Sequence, residues 1–325
     1  MTTTTVPETS APEPEVPAIP TKKIYKQPVG RSVSTSLSSG WGKFLVWALV
    51  IIWVIPIMGL LVSSFRPEQD VKTSGWWKFF TNPNVTLANY KAVLNSGSGG
   101  DNLWHFFLNS LEITVPSVIL SIGIATLAAY AFSWMRFPGR DWLFVATVAL
   151  LMVPLQMALI PMLQFLVNGD IFGVHVLPMQ RVDITTTIYG VWFAHVCFGM
   201  PFCIFIMKNF ISALPKDIVE AARVDGAGHM TIFWRLIVPL SVPAIAALAI
   251  FQFVWIWNDY LVALIFTARD NAPITKQLKD MTGTRGQSWH ILTAAGIVAM
   301  VLPIIVFFSL QRYFVRGMLA GSVKG

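Results

Sequence analysis

Apolar residues fall in six long runs, at 44–65, 106–133, 142–167, 184–207, 241–267 and 290–311, each nearly free of charge. Roughly 20 such residues are what an α-helix needs to cross a hydrocarbon layer about 30 Å thick. A transmembrane β-barrel would instead show segments of about ten residues alternating in polarity, and these runs are continuously apolar. Helices also satisfy their own backbone N–H and C=O groups, which lipid cannot do. The pattern therefore predicts an all-α membrane protein with six transmembrane helices. Residues 1–42 are rich in Thr, Pro, Ser and Glu and cannot bury enough apolar area to offset the entropy of ordering, so a flexible tail is expected ahead of a helical domain at 43–325. A cleaved secretory signal is a poor reading, because the first apolar run begins only near Phe44 and continues to Phe65.

Composition agrees: of 325 residues, 55% are hydrophobic and 12% charged, far too apolar for an ordinary soluble domain. The net charge of +7 does not imply nucleic acid, since Lys and Arg are scattered in short loops beside the apolar runs. Six crossings place both termini on one side. Of the 23 Lys and Arg, about fourteen lie on that side, including Arg136 and Arg140 in one short turn. The excess predicts cytoplasmic termini, with 208–240 also cytoplasmic and 66–105 and 269–289 outside. Trp41, Trp104, Trp134, Trp142 and Trp289 stand at span ends, where an amphipathic ring suits the headgroup region. Cys197 and Cys203 share one apolar run without metal or redox spacing and read as buried thiols. The five His form no His-Glu-x-x-His pattern, no phosphate-cradling Gly-x-x-x-x-Gly-Lys-Ser/Thr loop is present, and no metal or catalytic site is expected.

Polar groups at membrane depth must face protein or a water-filled path. Gln156, His195, Gln252, Asn258 and Asp259 are such groups; Tyr260, Trp255 and Trp257 lie beside the last two. Aromatic faces beside amide and carboxyl groups suit sugar rings, so these residues are candidates for a substrate path, against the alternative of helix-to-helix hydrogen bonding. Pro154, Pro161 and Pro303 can kink helices or free backbone carbonyls around it.

The 208–240 segment reads as helix, turn, helix. Pro215 suits a helix start, the Ala-rich stretch through Arg223 propagates helix, and Gly226 supplies the turn. A second helix is expected from about His229 toward Pro239, whose ring marks the start of span five. Taken alone, Glu220 is a solvated helix residue able to pair with Lys216 and Arg223.

Glu220-Ala221-Ala222, three residues, Gly226, nine residues, then Leu236-Ile237-Val238-Pro239 resembles the EAA loop of ATP-binding-cassette importer permeases. Leu236 and Val238 depart from that pattern but keep apolar bulk. Trp257-Asn258-Asp259-Tyr260 and the terminal segment from Gln311 to Gly325 are similar to the maltose-type sugar permeases. The resemblance covers about Phe44 to Gly325 and implies a type I importer permease fold with a cytoplasmic coupling helix. It implies a transport subunit rather than an enzyme, with Glu220, Ala221, Ala222, Asp225, Gly226 and Pro239 coupling it to ATPases. The implied partners are a second homologous permease, two cytosolic ATP-binding subunits that hold the ATP and Mg, an extracytoplasmic solute-binding protein and a sugar or short oligosaccharide, an α-glucoside or disaccharide among them. The implied bilayer is a bacterial inner membrane. In such permeases an outer loop, here Gly283-Thr284-Arg285-Gly286-Gln287, probes the binding protein's cleft. Permeases for amino acids, metals or polyamines share the EAA loop, so a non-sugar solute is the alternative; an ion-coupled secondary transporter would have only Glu112 and Asp259 as intramembrane ionisable candidates.

Overall fold

A computed structural model describes residues 40–95, 102–168, 170–171, 174–175, 187–281 and 288–322, the side chains of 168, 170–171, 174–175 and 312–322 excepted. The chain divides into a unit holding Met1–Ile51 and a larger unit, Ile52–Lys324. In chain order the helices are α1 (Gly40–Ser64), α2 (Glu68–Thr73), α3 (Ala88–Asn95), α4 (Leu103–Trp134), α5 (Arg140–Ala149), α6 (Leu155–Asn168), α7 (Ile188–Ser212), α8 (Lys216–Val224), α9 (His229–Ile232), α10 (Val238–Trp257), α11 (Leu261–Phe266), α12 (Ile274–Met281) and α13 (Trp289–Ser322). A two-residue antiparallel pair, β1 (Asp170–Ile171) and β2 (Val174–His175), follows α6. Residues 40–42, placed in the tail by the sequence reading, form the first turn of α1; the tail before them lies outside the described residues.

Among the described residues, α1, α4, α7, the run from α9 through α10, and α13 are each long and apolar enough to cross a membrane. The run expected as one helix at 142–167 is instead a pair of helical stretches, Arg140–Met152 and Leu155–Val167, bent by 109°. Pro154 explains the break, because it has no N–H and forces Val153 out of the helical region, to φ −76° and ψ 119°. The fifth span is displaced from its expected 241–267. It begins as α9, continues without interruption into α10 and ends at Trp257; Leu261–Phe266 is a separate short helix.

Helix α4 is central, packing on α7 and α10, while α10 packs on α13. Ser117, Ser121, Ala125 and Ala129 recur every fourth residue along α4 with none of their surface exposed. Small side chains on one stripe let helix backbones approach closely, which is how membrane helices gain packing energy that lipid would otherwise supply equally well.

Three prolines show how the bundle handles carbonyls that lose their helical donor. Pro116 cannot donate to Glu112, and the Glu112 carbonyl instead accepts the indole N–H of Trp192 on α7 at 2.8 Å. Pro303 leaves the Ala299 carbonyl without its partner, and the Trp257 indole on α10 donates to it at 3.1 Å. Pro239 disturbs the turn before it, and Phe233–Ile237 adopt the wider π-helical path. At Pro116 and Pro303 a neighbouring indole thus restores satisfaction where proline removes it, as lipid-embedded helices require. The two Trp latches also pin α4 to α7 and α13 to α10.

Candidate coupling site and translocation path

Helix α8 starts after Pro215 and carries Asp217 in its first turn, where a carboxylate meets the positive end of the helix dipole. It stops at Asp225, which donates its N–H to the Ala221 carbonyl. Gly226 follows at φ +82°, donating to Arg223 at 3.0 Å, and Ala227 donates to Ala222 at 2.9 Å. These two bonds form a Schellman termination, whose left-handed residue only glycine adopts without strain. A Cβ on Gly226 would meet nothing within 4 Å, so the demand for glycine here is conformational and not steric.

The helix lies on the end of α4. Val219 is buried beneath it at 1% exposure. Arg223 donates to the Trp134 carbonyl at 2.9 Å, a cation placed on the negative end of α4. Tyr130, buried on α4, shares a 2.9 Å hydrogen bond with Nδ1 of His229 and stands edge-on to Phe233, with ring centroids 5.5 Å apart. Glu220, Ala221 and Asp225 are exposed and Ala222 is half-buried. Arg223 being directed to Trp134, the Glu220 carboxylate makes no ion pair with Lys216 or Arg223 among the described residues. Val224, one turn after Glu220 on α8, and Met230 and Trp234 further along the segment leave apolar surface open. Pro239 is the second residue of α10, so the loop is joined to span five by continuous helix and not by a hinge at the proline.

The substrate-path candidates separate into three kinds. His195 and Gln252 are buried on facing surfaces of α7 and α10. His195 stands edge-on to Trp255 at 6.0 Å, and Gln252 sits over Gly199, where an added Cβ would come within 2.3 Å of its Nε2. Neither His195 Nδ1 nor Gln252 Nε2 has a hydrogen-bond partner, so the α7–α10 contact holds polar capacity that the described residues leave unused. Gln156 and Asn258 are exposed, Asn258 donating to the Val254 carbonyl at 2.8 Å. Asp259 is half-buried and caps α11, its carboxylate accepting the Val262 and Ala263 N–H groups at 2.9 and 3.4 Å; Tyr260 beside it is half-buried. The aromatic residues near it do not form one surface. Trp257 turns into the bundle against Phe107 and Phe253, whereas Trp255 points to His195. Among the described residues no group of His, Cys, Asp or Glu could hold a metal ion.

Gly283, Thr284, Arg285, Gly286 and Gln287 lie outside the described residues. The segment that leads into them is held by residues absent from the sequence reading. On the first turns of α4, His105 Nε2 is 2.8 Å from the Asp270 carbonyl, and Asn109 donates to the Asp270 and Ala272 carbonyls at 2.9 and 3.0 Å. The Ser110 hydroxyl accepts the Ile274 N–H at 2.8 Å. Thr275 donates to the Asp259 carbonyl at 2.8 Å and Lys276 to the Thr267 carbonyl at 2.7 Å; burial lowers the Lys276 ammonium's pKa below its ordinary value. The signal of this arrangement in the sequence was an Asn and a Ser at the start of the second apolar run.

Residues 121–320 match the family of binding-protein-dependent transport system inner membrane components. The osmoprotective compounds uptake permease protein GgtD of Synechocystis sp. is 50% identical over 285 residues, 86% of this chain and 90% of that protein. The alpha-glucoside transport system permease protein AglG of Rhizobium meliloti is 49% identical over 269 residues, 82% of this chain and 67% of that protein. A solved chain of a bacterial ABC transporter involved in importing the acidic polysaccharide alginate shares the fold, with a TM-score of 0.65 at 18% identity over 88% of this chain and 98% of that one. With most of its length matched in sequence and the helical architecture matched in three dimensions, this chain belongs to the family of binding-protein-dependent transport system inner membrane components.

Proposed function

We propose that the chain is the transmembrane permease of an ATP-driven importer of a neutral, hydroxyl-rich solute, an α-glucoside or similar short sugar. The observation that carries this is the near-equal identity, over most of the chain, to one permease named for alpha-glucosides and another named for osmoprotective compounds. Its termini and α8 face the cytoplasm, in keeping with the Lys and Arg excess on that side. Two ATP-binding subunits hold ATP and Mg, a second homologous permease completes the pathway, and an extracytoplasmic binding protein delivers solute near Gly283–Gln287.

In this reading the exposed face of α8 and α9 docks on an ATPase, with Val224, Met230 and Trp234 supplying apolar contact and Glu220 a carboxylate for a cation across the interface. Movement of α8 reaches span five through the unbroken helix from His229, and the bundles rock around a midplane path with alternating access. His195 and Gln252 are the path residues best suited to this, having buried polar atoms with no partner among the described residues. Asn258 and Asp259 serve span five and α11 through the backbone bonds they make.

Reconstitution with the neighbouring subunits and the binding protein tests the reading: ATP-dependent uptake of a labelled α-glucoside is the expected result, and uptake of an amino acid or metal instead, or ion-driven uptake by the lone chain, overturns it. Within the complex, Glu220→Ala and Glu220→Gln should insert normally and reduce ATPase association or solute-stimulated hydrolysis. A carboxylate buried at the interface makes truncation cost about 2–5 kcal/mol; one left exposed makes it cost about 0–1 kcal/mol, and wild-type behaviour of both variants removes the coupling role.

A further inference from the structure

Helix α4 is held at both ends. At one end Tyr130 and the Trp134 carbonyl hold the α8–α9 loop. At the other, His105, Asn109 and Ser110 hold residues 270–274, which lead into α12 and include its first residue. Asn109 and Tyr130 are about 32 Å apart along the helix at roughly 1.5 Å per residue, close to the full thickness of a hydrocarbon layer. Between them α4 is continuous, and its proline-freed carbonyl at Glu112 is latched by Trp192.

Asn109 and Ser110 are poor choices for helix propensity and for lipid, and they are 7% and 1% exposed. Their polar atoms are spent on the backbone of one crossing segment. An Asn amide donating to two carbonyls at once fixes both the position and the direction of that segment. The cleft beside it, about 450 Å³ and lined by Phe106, Arg269, Lys276, Gln277, Asp280 and Met281, presents mixed charge on the face where α12 lies.

We propose that His105, Asn109 and Ser110 form a clamp through which α4 carries movement of the α8–α9 loop to the α12 segment, making Asn109 a positioning residue for the response to the solute-binding protein. This rests on the importer reading above. A segment merely resting on the bundle would follow α4 loosely; one bonded to it by three side chains on its first turns shifts with it as a body. Its motion then reaches the surface on which a binding protein would sit.

The test uses the whole complex in nanodiscs with its binding protein, measuring basal ATP hydrolysis, the binding-protein concentration for half-maximal stimulation, uptake, and hydrogen exchange at 270–281. Asn109→Leu should raise that concentration roughly fivefold to tenfold, the weight of one or two net hydrogen bonds. Uptake should fall alongside, with basal hydrolysis within about twofold of wild type on the same reasoning. Ser110→Thr keeps the acceptor and should behave as wild type, whereas Ser110→Ala should show a smaller version of the same split and decides the matter if Asn109→Leu does not assemble. Faster exchange at 270–281 with unchanged stimulation and uptake would reduce the clamp to a structural feature. A wild-type complex that neither responds to the binding protein nor imports sugar would overturn the importer reading itself, a result separable from failure of the variants alone.

Discussion

The two ends of α4 hold their loops by opposite means. At one end the loop reaches for the helix: Arg223, His229 and Phe233 bring side chains to Tyr130 and to the Trp134 carbonyl. At the other end the helix reaches for the loop, and the acceptors and donor it meets at 270–274 are backbone atoms. A contact made by loop side chains demands particular residues at fixed spacing and leaves a motif. A contact made to loop backbone demands only that the chain pass through the right place, so it leaves almost no mark on the loop's own sequence. The first arrangement is specific in composition and the second in geometry.

The sharpest way to break this contrast is Tyr130→Ala, which removes a buried aromatic together with its hydrogen bond. It should destabilise the α8–α9 attachment by about 3–5 kcal/mol and raise hydrogen exchange at 216–237 while leaving 270–281 protected. Equal loosening at both ends would show that they are not separately held.

A smaller effect is expected midway. Trp192→Phe leaves the Glu112 carbonyl without a donor and should cost about 1–3 kcal/mol in thermal stability of the purified chain. Pro116→Ala restores a helical N–H to that carbonyl, so in the double variant the penalty of Trp192→Phe should largely vanish. A coupling energy near zero in that cycle would mean the indole and the proline are unrelated.

The smallest effect belongs to the backbone-held segment. Asp270→Asn changes only the side chain of a residue whose backbone carbonyl meets Asn109 and His105, and it should shift stability by less than about 0.5 kcal/mol. A loss comparable with that of a Tyr130 variant would erase the distinction between the two ends.

These contrasts explain what was legible beforehand. The apolar runs exposed the spans, since burial in lipid is decided residue by residue along the chain. The Glu220–Gly226 spacing exposed the helix and its turn, because a left-handed termination constrains local sequence. Proline positions were visible too, and Pro303 was expected to kink its helix or free a carbonyl. Its recipient was not visible: that Trp257 reaches Ala299, and Trp192 reaches Glu112, depends on which helices lie side by side. For the same reason Trp257 read as part of an aromatic surface near Asp259, whereas helix packing turns it inward.

Amino-acid order alone determined that this chain crosses a membrane as helices, where it carries a helix–turn–helix between spans, and which residues that turn requires, since all three follow from interactions within a few residues or with a uniform solvent. Tertiary structure decided the pairing of His195 with Trp255 and of Gln252 with Gly199, and the holding of residues 270–274 by Asn109 and Ser110. Each of those depends on groups far apart in sequence meeting at hydrogen-bond or van der Waals distance, and no local pattern along the chain encodes that meeting.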